Sequence, residues 1–422
     1  MKILHINTYK DNGGAGKAAS RLNLALQKQG IDSSLWVNFS FNQDPEIKTF
    51  SDGYLRRGMT AAGIILERMM AKLYLKPLKT PFSFPLFGTD ISNHPAVKEA
   101  DILHLHWINH GFLKPADLAK LGKLNKPIVW TFHDSNAFTG GCHVRFSCDH
   151  FENECGNCPL LKNSHPNDWS HRIWQQKEDA YRNLNIQVIA PSNWMEASVK
   201  RSKLFAHRQV AVIPNTLNTD VFKPLLKSEA KRALGISEKN FVMLSGFMPS
   251  RNDLHKGTPY LLEALELLSE NISKDQIELV VFGNRDDKNL PDFPVKVTFL
   301  GTINSEEQLA KCYSAADVFL APSLEDNLPY TVMESLACGT PVVGFTTGGI
   351  PDMVRHKENG YLARYRSSED LANGITWVYN HPDKELLNKQ ARKTVEALFS
   401  PEVIAAQHIE LYKALMKNDV SA

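Results

Sequence analysis

Residues 2–30 read KILHINTYKDNGGAGKAASRLNLALQKQG. The first eight, KILHINTY, form a short apolar run with a polar end, the pattern of a buried strand. The glycine-rich NGGAGKAAS of residues 12–20 comes next. AASRLNLALQKQG then spaces its apolar residues as a helix does, with Gly30 as its stop. A strand passing through a glycine loop into a helix is the opening unit of a parallel sheet covered by helices. SSLWVNF, ADILHLHW, KPIVWTFHD, IQVIAPS and QVAVIPN supply further short runs rich in β-branched residues, several separated by helical patterns. The plan restarts at NFVMLSGF, with a loop ending in Lys256-Gly257 and the helix-like TPYLLEALELLSE, then IELVVFG, VKVTFLG, ADVFLAPS and TPVVGF. The expected fold class is α/β, with two Rossmann-like parallel-sheet domains.

A chain of 422 residues is too long for one ordinary core, in agreement with two domains. NTLNTDVFKP, residues 215–224, has linker character, so the expected domains are 1–218 and 219–399. The last helix-like stretch, within 400–422, is free to pack on either domain, including back on the first. Hydrophobic residues make up 43% and charged residues 22%, the balance of a soluble globular protein. A formal net charge of +2 gives no field favouring nucleic acid. The longest apolar candidate, MTAAGIILERMMAKLYL, is interrupted by Glu67, Arg68 and Lys72 and is too short between charges to span a bilayer. The N-terminus has no signal-peptide pattern, so the expected compartment is the cytoplasm.

Residues 55–90 fit neither half of the plan. They carry Arg56, Arg57, Arg68, Lys72 and Lys76 on an amphipathic stretch, then the Pro/Phe-rich PFSFPLF. The expectation is an ordinary surface helix packed on the core. The other reading is an element that docks an acceptor or touches the inner face of a membrane peripherally.

The opening glycine loop fails two tests. A phosphate-binding Walker loop needs Ser or Thr after Gly-Lys and a Gly five places before that Gly; here Ala18 follows Gly16-Lys17 and Asp11 stands upstream. Gly14, Gly16 and Ala19 match the dinucleotide pattern G-x-G-x-x-G/A, but the second strand ends in Val37-Asn38-Phe39 without the confirming acid. Two readings survive: a plain strand-to-helix turn, or a backbone surface at a helix N-terminus suited to phosphate or a sugar hydroxyl.

Residues 322–354, PSLEDNLPYTVMESLACGTPVVGFTTGGIPDMV, carry the richest chemistry. With TFHD at 131–134, APSNW at 190–194, IPNTLNTDVF at 213–222 and HKG at 255–257, they resemble the large retaining glycosyltransferase family of the GT-B fold that bears an acid-x7-Glu motif (family 4, group 1). WTFHDSNAFTGGCHVRFSCDHFENECGNCP further resembles a bacterial branch involved in capsule, exopolysaccharide or lipopolysaccharide assembly.

The resemblance implies two Rossmann-like domains facing a central cleft, the first binding the acceptor and the second a nucleotide-sugar donor. It implies transfer of a sugar from a UDP- or GDP-sugar to a glycan or lipid-linked acceptor, with no catalytic cofactor. Two other readings stay open: an epimerase of the same fold, and a catalytically silent protein that binds sugar nucleotides.

The departing pyrophosphate builds negative charge that something must stabilise. No aspartate stands two places from another, so the Asp-x-Asp metal motif is missing and a cation with helix N-termini is expected instead. Lys256 matches the family's cation, and Arg251 is a looser match to a second. Asp326 lies eight positions before Glu334, the family spacing. The resemblance assigns Asp326 to the donor sugar and Glu334 to the nucleotide ribose, whose two hydroxyls a carboxylate can accept. Asn327, Leu328 and Tyr330 take the place of the family's donor-binding turn, with Pro329 removing one N–H. His133 matches the histidine beside the reacting sugar. Gly13, Gly14 and Gly16 would let backbone approach the donor diphosphate. His104, His106 and Trp107, ending the preceding strand, are readable as an acceptor wall or as structural residues.

Cys142, Cys148, Cys155 and Cys158 form C-x5-C-x6-C-x2-C. Four thiols in one loop are readable as a structural zinc site, as two disulfides or as reduced thiols.

Overall fold

KILHIN forms strand β1 (Lys2–Asn7), the third strand of a seven-stranded sheet in the computed structural model. Residues 1–10, 13–40, 47–51, 54–77, 81–246, 255–283 and 290–419 are described. The other strands of this sheet are β2 (Asp32–Val37), β3 (Lys48–Thr49), β4 (Ile102–Leu105), β5 (Ile128–Thr131), β6 (Ile186–Ala190) and β7 (Val210–Val212). Their order is β3-β2-β1-β4-β5-β6-β7, and every neighbouring pair is parallel.

The second sheet holds β8 (Phe241–Ser245), β9 (Ile277–Phe282), β10 (Lys296–Gly301), β11 (Val318–Ala321), β12 (Val342–Phe345) and β13 (Gly360–Ala363). Its order is β10-β9-β8-β11-β12-β13, again wholly parallel. In each sheet the chain starts inside, winds one way and then reverses. The reversals fall between β1 and β4 and between β8 and β11. Open α/β sheets bind ligands beyond the strand ends at such points. The fold is α/β and of GT-B type, as expected.

The chain divides into two compact units. One is Met1–Thr216 with Ile404–Ala422, and the other is Leu217–Val403. Five helices position the chemistry: α1 (Gly13–Lys28), α2 (Tyr54–Tyr74), α3 (Thr258–Asn271), α4 (Tyr330–Ala337) and α5 (Pro401–Asp419).

The strands read as continuous apolar runs because both faces of the first sheet are covered. Along β1 the side chains alternate. Leu4 and Ile6 enter the larger core with Leu105 and Trp130. Ile3 points to the opposite face, where Leu22 and Leu26 of α1 meet Ile404, Ala405 and Tyr412 of α5. Those three residues of α5 are fully buried, each large apolar side chain contributing about 1.5–3 kcal/mol. His5 and His104, paired in register across β1 and β4, are also fully buried.

Helix α2 packs one side on the core, as expected, but its outer side is apolar. It buries Thr60 and Glu67, yet Met59, Ile65, Met69 and Leu73 are each about three-fifths or more exposed. Among the described residues no helix is long and apolar enough to cross a membrane.

Candidate functional site

Three segments of the second unit converge where β8 and β11 end. His255-Lys256-Gly257 leads into α3, residues 322–326 follow β11, and Thr346–Gly349 follows β12. Backbone stitches them. The Leu324 N–H donates to the His255 carbonyl at 2.9 Å, and the Gly349 N–H to the Asp326 carbonyl at 3.1 Å. His255 Nε2 donates to the Glu325 carbonyl, and Thr347 Oγ1 to that of Leu324. Two glycines are obligatory. Gly257 has φ +70° and a Cβ there would stand 1.9 Å from the Pro322 carbonyl oxygen; Gly348 has φ +55° and its Cβ would meet the Asp326 oxygen at 1.8 Å.

This packing brings Lys256 Nζ within 3.2 Å of Asp326 Oδ2, with the side chains 32% and 23% exposed. Such a half-wet pair adds at most about 1 kcal/mol to stability. Its worth lies in setting a cation beside a carboxylate at a strand-end turn. Glu334, on α4, is only 3% exposed and accepts from the Tyr313 hydroxyl at 2.9 Å. Burial first, and then the Glu334 charge, push the Tyr313 phenol well above its usual range, so it stays a donor. Leu328 is buried in the core. Tyr330 opens α4 and Asn327 is partly exposed. Arg251 lies outside the described residues.

In the first unit, His133 follows β5 and belongs to a chain of imidazoles. His106 Nδ1 lies 3.0 Å from His133 Nε2, and His106 Nε2 lies 2.9 Å from His5 Nδ1. Burial lowers the His133 pKa to about 4, although the Asp134 charge opposes the shift, and lowers that of His5 to about 3. Burial holds His106 and His104 well below the usual range as well. All four rings are neutral near pH 7. A cavity of about 10 Å³, room for one water, is lined by His106, Thr131, His133 and His408.

Of the two roles open to it, His104 takes the structural one. It is fully buried, with Nδ1 2.7 Å from the Tyr412 hydroxyl and Nε2 2.7 Å from Thr131 Oγ1. His106 is 3% exposed, with its ring nitrogens beside His5 and His133. Trp107 alone of that trio is partly exposed. Its indole N–H donates to Asp134 Oδ2 at 2.8 Å, and its backbone N–H to Asn7 Oδ1 at 2.7 Å.

Asp134 and Tyr313 are organising residues that the motif reading passed over. Asp134 also accepts from His143 Nδ1 at 2.7 Å and from the Asn136 N–H at 2.8 Å. Burial would raise its pKa, but the neighbouring His143 and these hydrogen bonds hold it below the usual range. Its place after His133 in TFHD was the available signal; Tyr313 had none, being joined to Glu334 only by folding.

The glycine loop divides by role. Gly13 has φ +76° and opens α1. A Cβ on Gly16 would stand 2.7 Å from the Lys10 carbonyl oxygen, so local packing alone demands glycine there. A Cβ on Gly14 meets nothing within 4 Å. Nothing in its own neighbourhood requires glycine at Gly14.

All six cysteines are free thiols. Burial pushes Cys155 up to about 12 and Cys158 to about 11, and raises Cys142 and Cys148 too, with neighbouring cysteines adding to the shift in Cys142 and Cys155. A zinc ion needs gathered thiolates. Among the described residues, the metal-capable side chains whose ligand atoms all lie within 4.8 Å of one another are His5, His104 and His106, not these cysteines. Five of the six ring nitrogens of these histidines are occupied by the hydrogen bonds above; His5 Nε2 is the exception.

Two family profiles match the chain: "Glycosyltransferase Family 4" over residues 12–221 and "Glycosyl transferases group 1" over residues 227–395. N-acetyl-alpha-D-glucosaminyl L-malate synthase of Bacillus anthracis is 22% identical over 438 aligned residues, covering 99% of each chain. The N,N'-diacetylbacillosaminyl-diphospho-undecaprenol alpha-1,3-N-acetylgalactosaminyltransferase of Campylobacter jejuni is 25% identical over 238 residues, covering 54% of this chain and 60% of that one. The chain spans 61% and 37% of the length of two other curated relatives, both uncharacterized glycosyltransferases. Among solved structures, Anabaena HepE in complex with UDP superposes with a TM-score of 0.63 at 18% identity, covering 98% of this chain and 100% of that one.

Proposed function

This chain belongs to the family 4, group 1 glycosyltransferases, and from that premise we propose a retaining enzyme that moves a sugar from a UDP- or GDP-sugar to a glycan or lipid-linked acceptor. We place it on the cytoplasmic side of the membrane, in cell-surface polysaccharide assembly. The observation that carries the reading is the convergence of three strand-end loops on the Lys256–Asp326 pair.

The acceptor oxygen bonds to the anomeric carbon as the bond from that carbon to the β-phosphate oxygen breaks. The departing phosphate takes the acceptor's proton, so no protein base is required. Lys256 opposes the charge that grows on the diphosphate. A diphosphate offers this lysine a stronger partner than Asp326, which then faces the sugar hydroxyls. Glu334, oriented by Tyr313, accepts from the ribose. His133, neutral, donates a hydrogen bond to the donor sugar. Gly14 leaves backbone N–H groups at the start of α1 open to phosphate oxygens.

Purified protein incubated with UDP- and GDP-sugars and a glycan or lipid-linked acceptor tests this. The expected product keeps the donor's anomeric configuration by NMR. Formation should persist in chelator and fail in Lys256→Ala and Glu334→Ala. An inverted product, or transfer at the wild-type rate in both variants, would overturn it.

A further inference from the structure

Helix α2 sorts its residues into three strips. At about 100° per residue, Thr60, Gly63, Glu67 and Tyr74 fall on one side and pack inward, Glu67 accepting from the Phe84 N–H at 3.1 Å. Met59, Ile65, Met69 and Leu73 make an outward strip about 120° wide, exposed by 67%, 59%, 61% and 61%. Arg57, Arg68 and Lys72, all exposed, run along one flank, and Lys76 stands just past the end. Glu67 is the helix's one acid, and it is buried. The outward face therefore offers cations and apolar side chains with no carboxylate among them.

Through its inward side and its cationic flank the helix also lies beside the site region of its own unit. Gly63 packs against Gly111, where Cβ positions fall 3.5–4.0 Å from the facing backbone, and Phe87, 49% exposed, sits next to it. The Arg68 charge reaches Tyr9 and His110. Tyr9 stacks on Trp107 with centroids 6.3 Å apart, and His110 meets the Trp107 edge at 4.6 Å. The loop ending β4 is thus held against the helix that carries the apolar strip.

Exposed apolar side chains cost free energy in water, and a cationic flank without acids would repel a second copy of itself while attracting an anionic surface. A helix with this partition lies in the plane of a lipid interface, its apolar side chains entering the acyl boundary and its cations meeting headgroups. We propose that α2 seats the protein on an anionic lipid bilayer through Met59, Ile65, Met69 and Leu73, so that an acceptor carried in that bilayer is delivered beside Trp107. The delivery clause rests on the transferase reading; the seating does not.

Co-sedimentation of the full chain with phosphatidylcholine vesicles, with and without phosphatidylglycerol, tests the proposal. The protein should pellet with the anionic vesicles, several-fold less in high salt. I65S/M69S/L73S should stay in the supernatant with both kinds, and R57Q/R68Q/K72Q should lose the preference for phosphatidylglycerol. Unchanged thermal melts would show that both variants fold. A stabilising shift with UDP or GDP, retained in both, would report the donor reading separately. Wild-type protein that ignores anionic vesicles would overturn the proposal, as would sedimentation showing a dimer that I65S/M69S/L73S makes monomeric.

Discussion

His106 Nδ1 stands 3.0 Å from His133 Nε2, and the direction of that hydrogen bond is set at the far end of the chain. His5 Nε2 is buried with no hydrogen-bond partner. A neutral imidazole has one N–H and one lone pair, and a buried N–H left unpaired costs more than a bare lone pair. His5 therefore carries its proton on Nδ1 and donates to His106, which donates from Nδ1 to His133. His133 is left with its proton on Nδ1, a donor from that nitrogen. Nitrogen-15 NMR of the histidines should show His133 as the Nδ1–H tautomer at pH 7, and His106→Phe should release it to a mixture. An Nε2–H signal for His133 in the wild type would reverse the assignment.

The buried histidines also set a pH limit. Burial lowers His133, His110 and His408 to about 4 and His5 to about 3, against 6.5 for an unburied histidine. Between those values the unfolded chain binds more protons than the native one, so stability rises with pH. It is full above about 6.5 and falls as pH drops towards 4, by about 1.4 kcal/mol per pH unit for each extra proton bound by the unfolded state. Urea unfolding from pH 7 to 5 should show a steep loss of midpoint. A flat profile would mean that these rings are charged, or hydrated, in the native state.

Lys256 and Asp326 separate function from stability. Their pair is partly exposed, so Lys256→Ala should move the melting temperature very little. Losing the cation that faces the departing diphosphate should lower kcat by about 10²–10³-fold, the usual cost of removing one electrostatic stabiliser. Steady-state transfer assays and melting curves on the same preparation check both halves.

Gly16 and Gly14 should behave oppositely. Gly16→Ala forces a methyl against the Lys10 carbonyl and should cost about 1–3 kcal/mol of stability. Gly14→Ala has open space in the first turn of α1 and should leave stability equal or slightly higher. Loss of transfer in Gly14→Ala with an intact melt would place that backbone against the donor.

The four-cysteine loop gives a metal test. Because the thiols are raised in pKa and not gathered, purified protein should carry zinc well below one ion per chain, and all six thiols should titrate after denaturation without reductant. One full equivalent of zinc, lost together with stability on chelation, would restore the zinc reading of the loop.

Among the described residues, eleven of the thirteen strands were legible as apolar runs, because a strand covered on both faces has to be apolar throughout. The two that were not are β3, which has only two residues, and β13, whose GYLA opens on a glycine and carries no β-branched residue. Lys256, Asp326 and Glu334 were singled out by the resemblance, because the family motif sets these residue types at fixed offsets along the chain. Asp134 and Tyr313 escaped notice because their importance lies in the side chains they hold.

The sequence by itself determined the α/β class, the restart of the plan at the second half and the acid spacing, since each is a local periodicity or offset along the chain. Tertiary structure alone decided that His104 is sealed beneath Tyr412 of the returning helix, that Tyr313 orients Glu334, and that α2 turns its apolar residues outward. Residues 308 positions apart meet in the first of these. No local pattern encodes such a meeting, because it depends on which faces the packed elements leave uncovered.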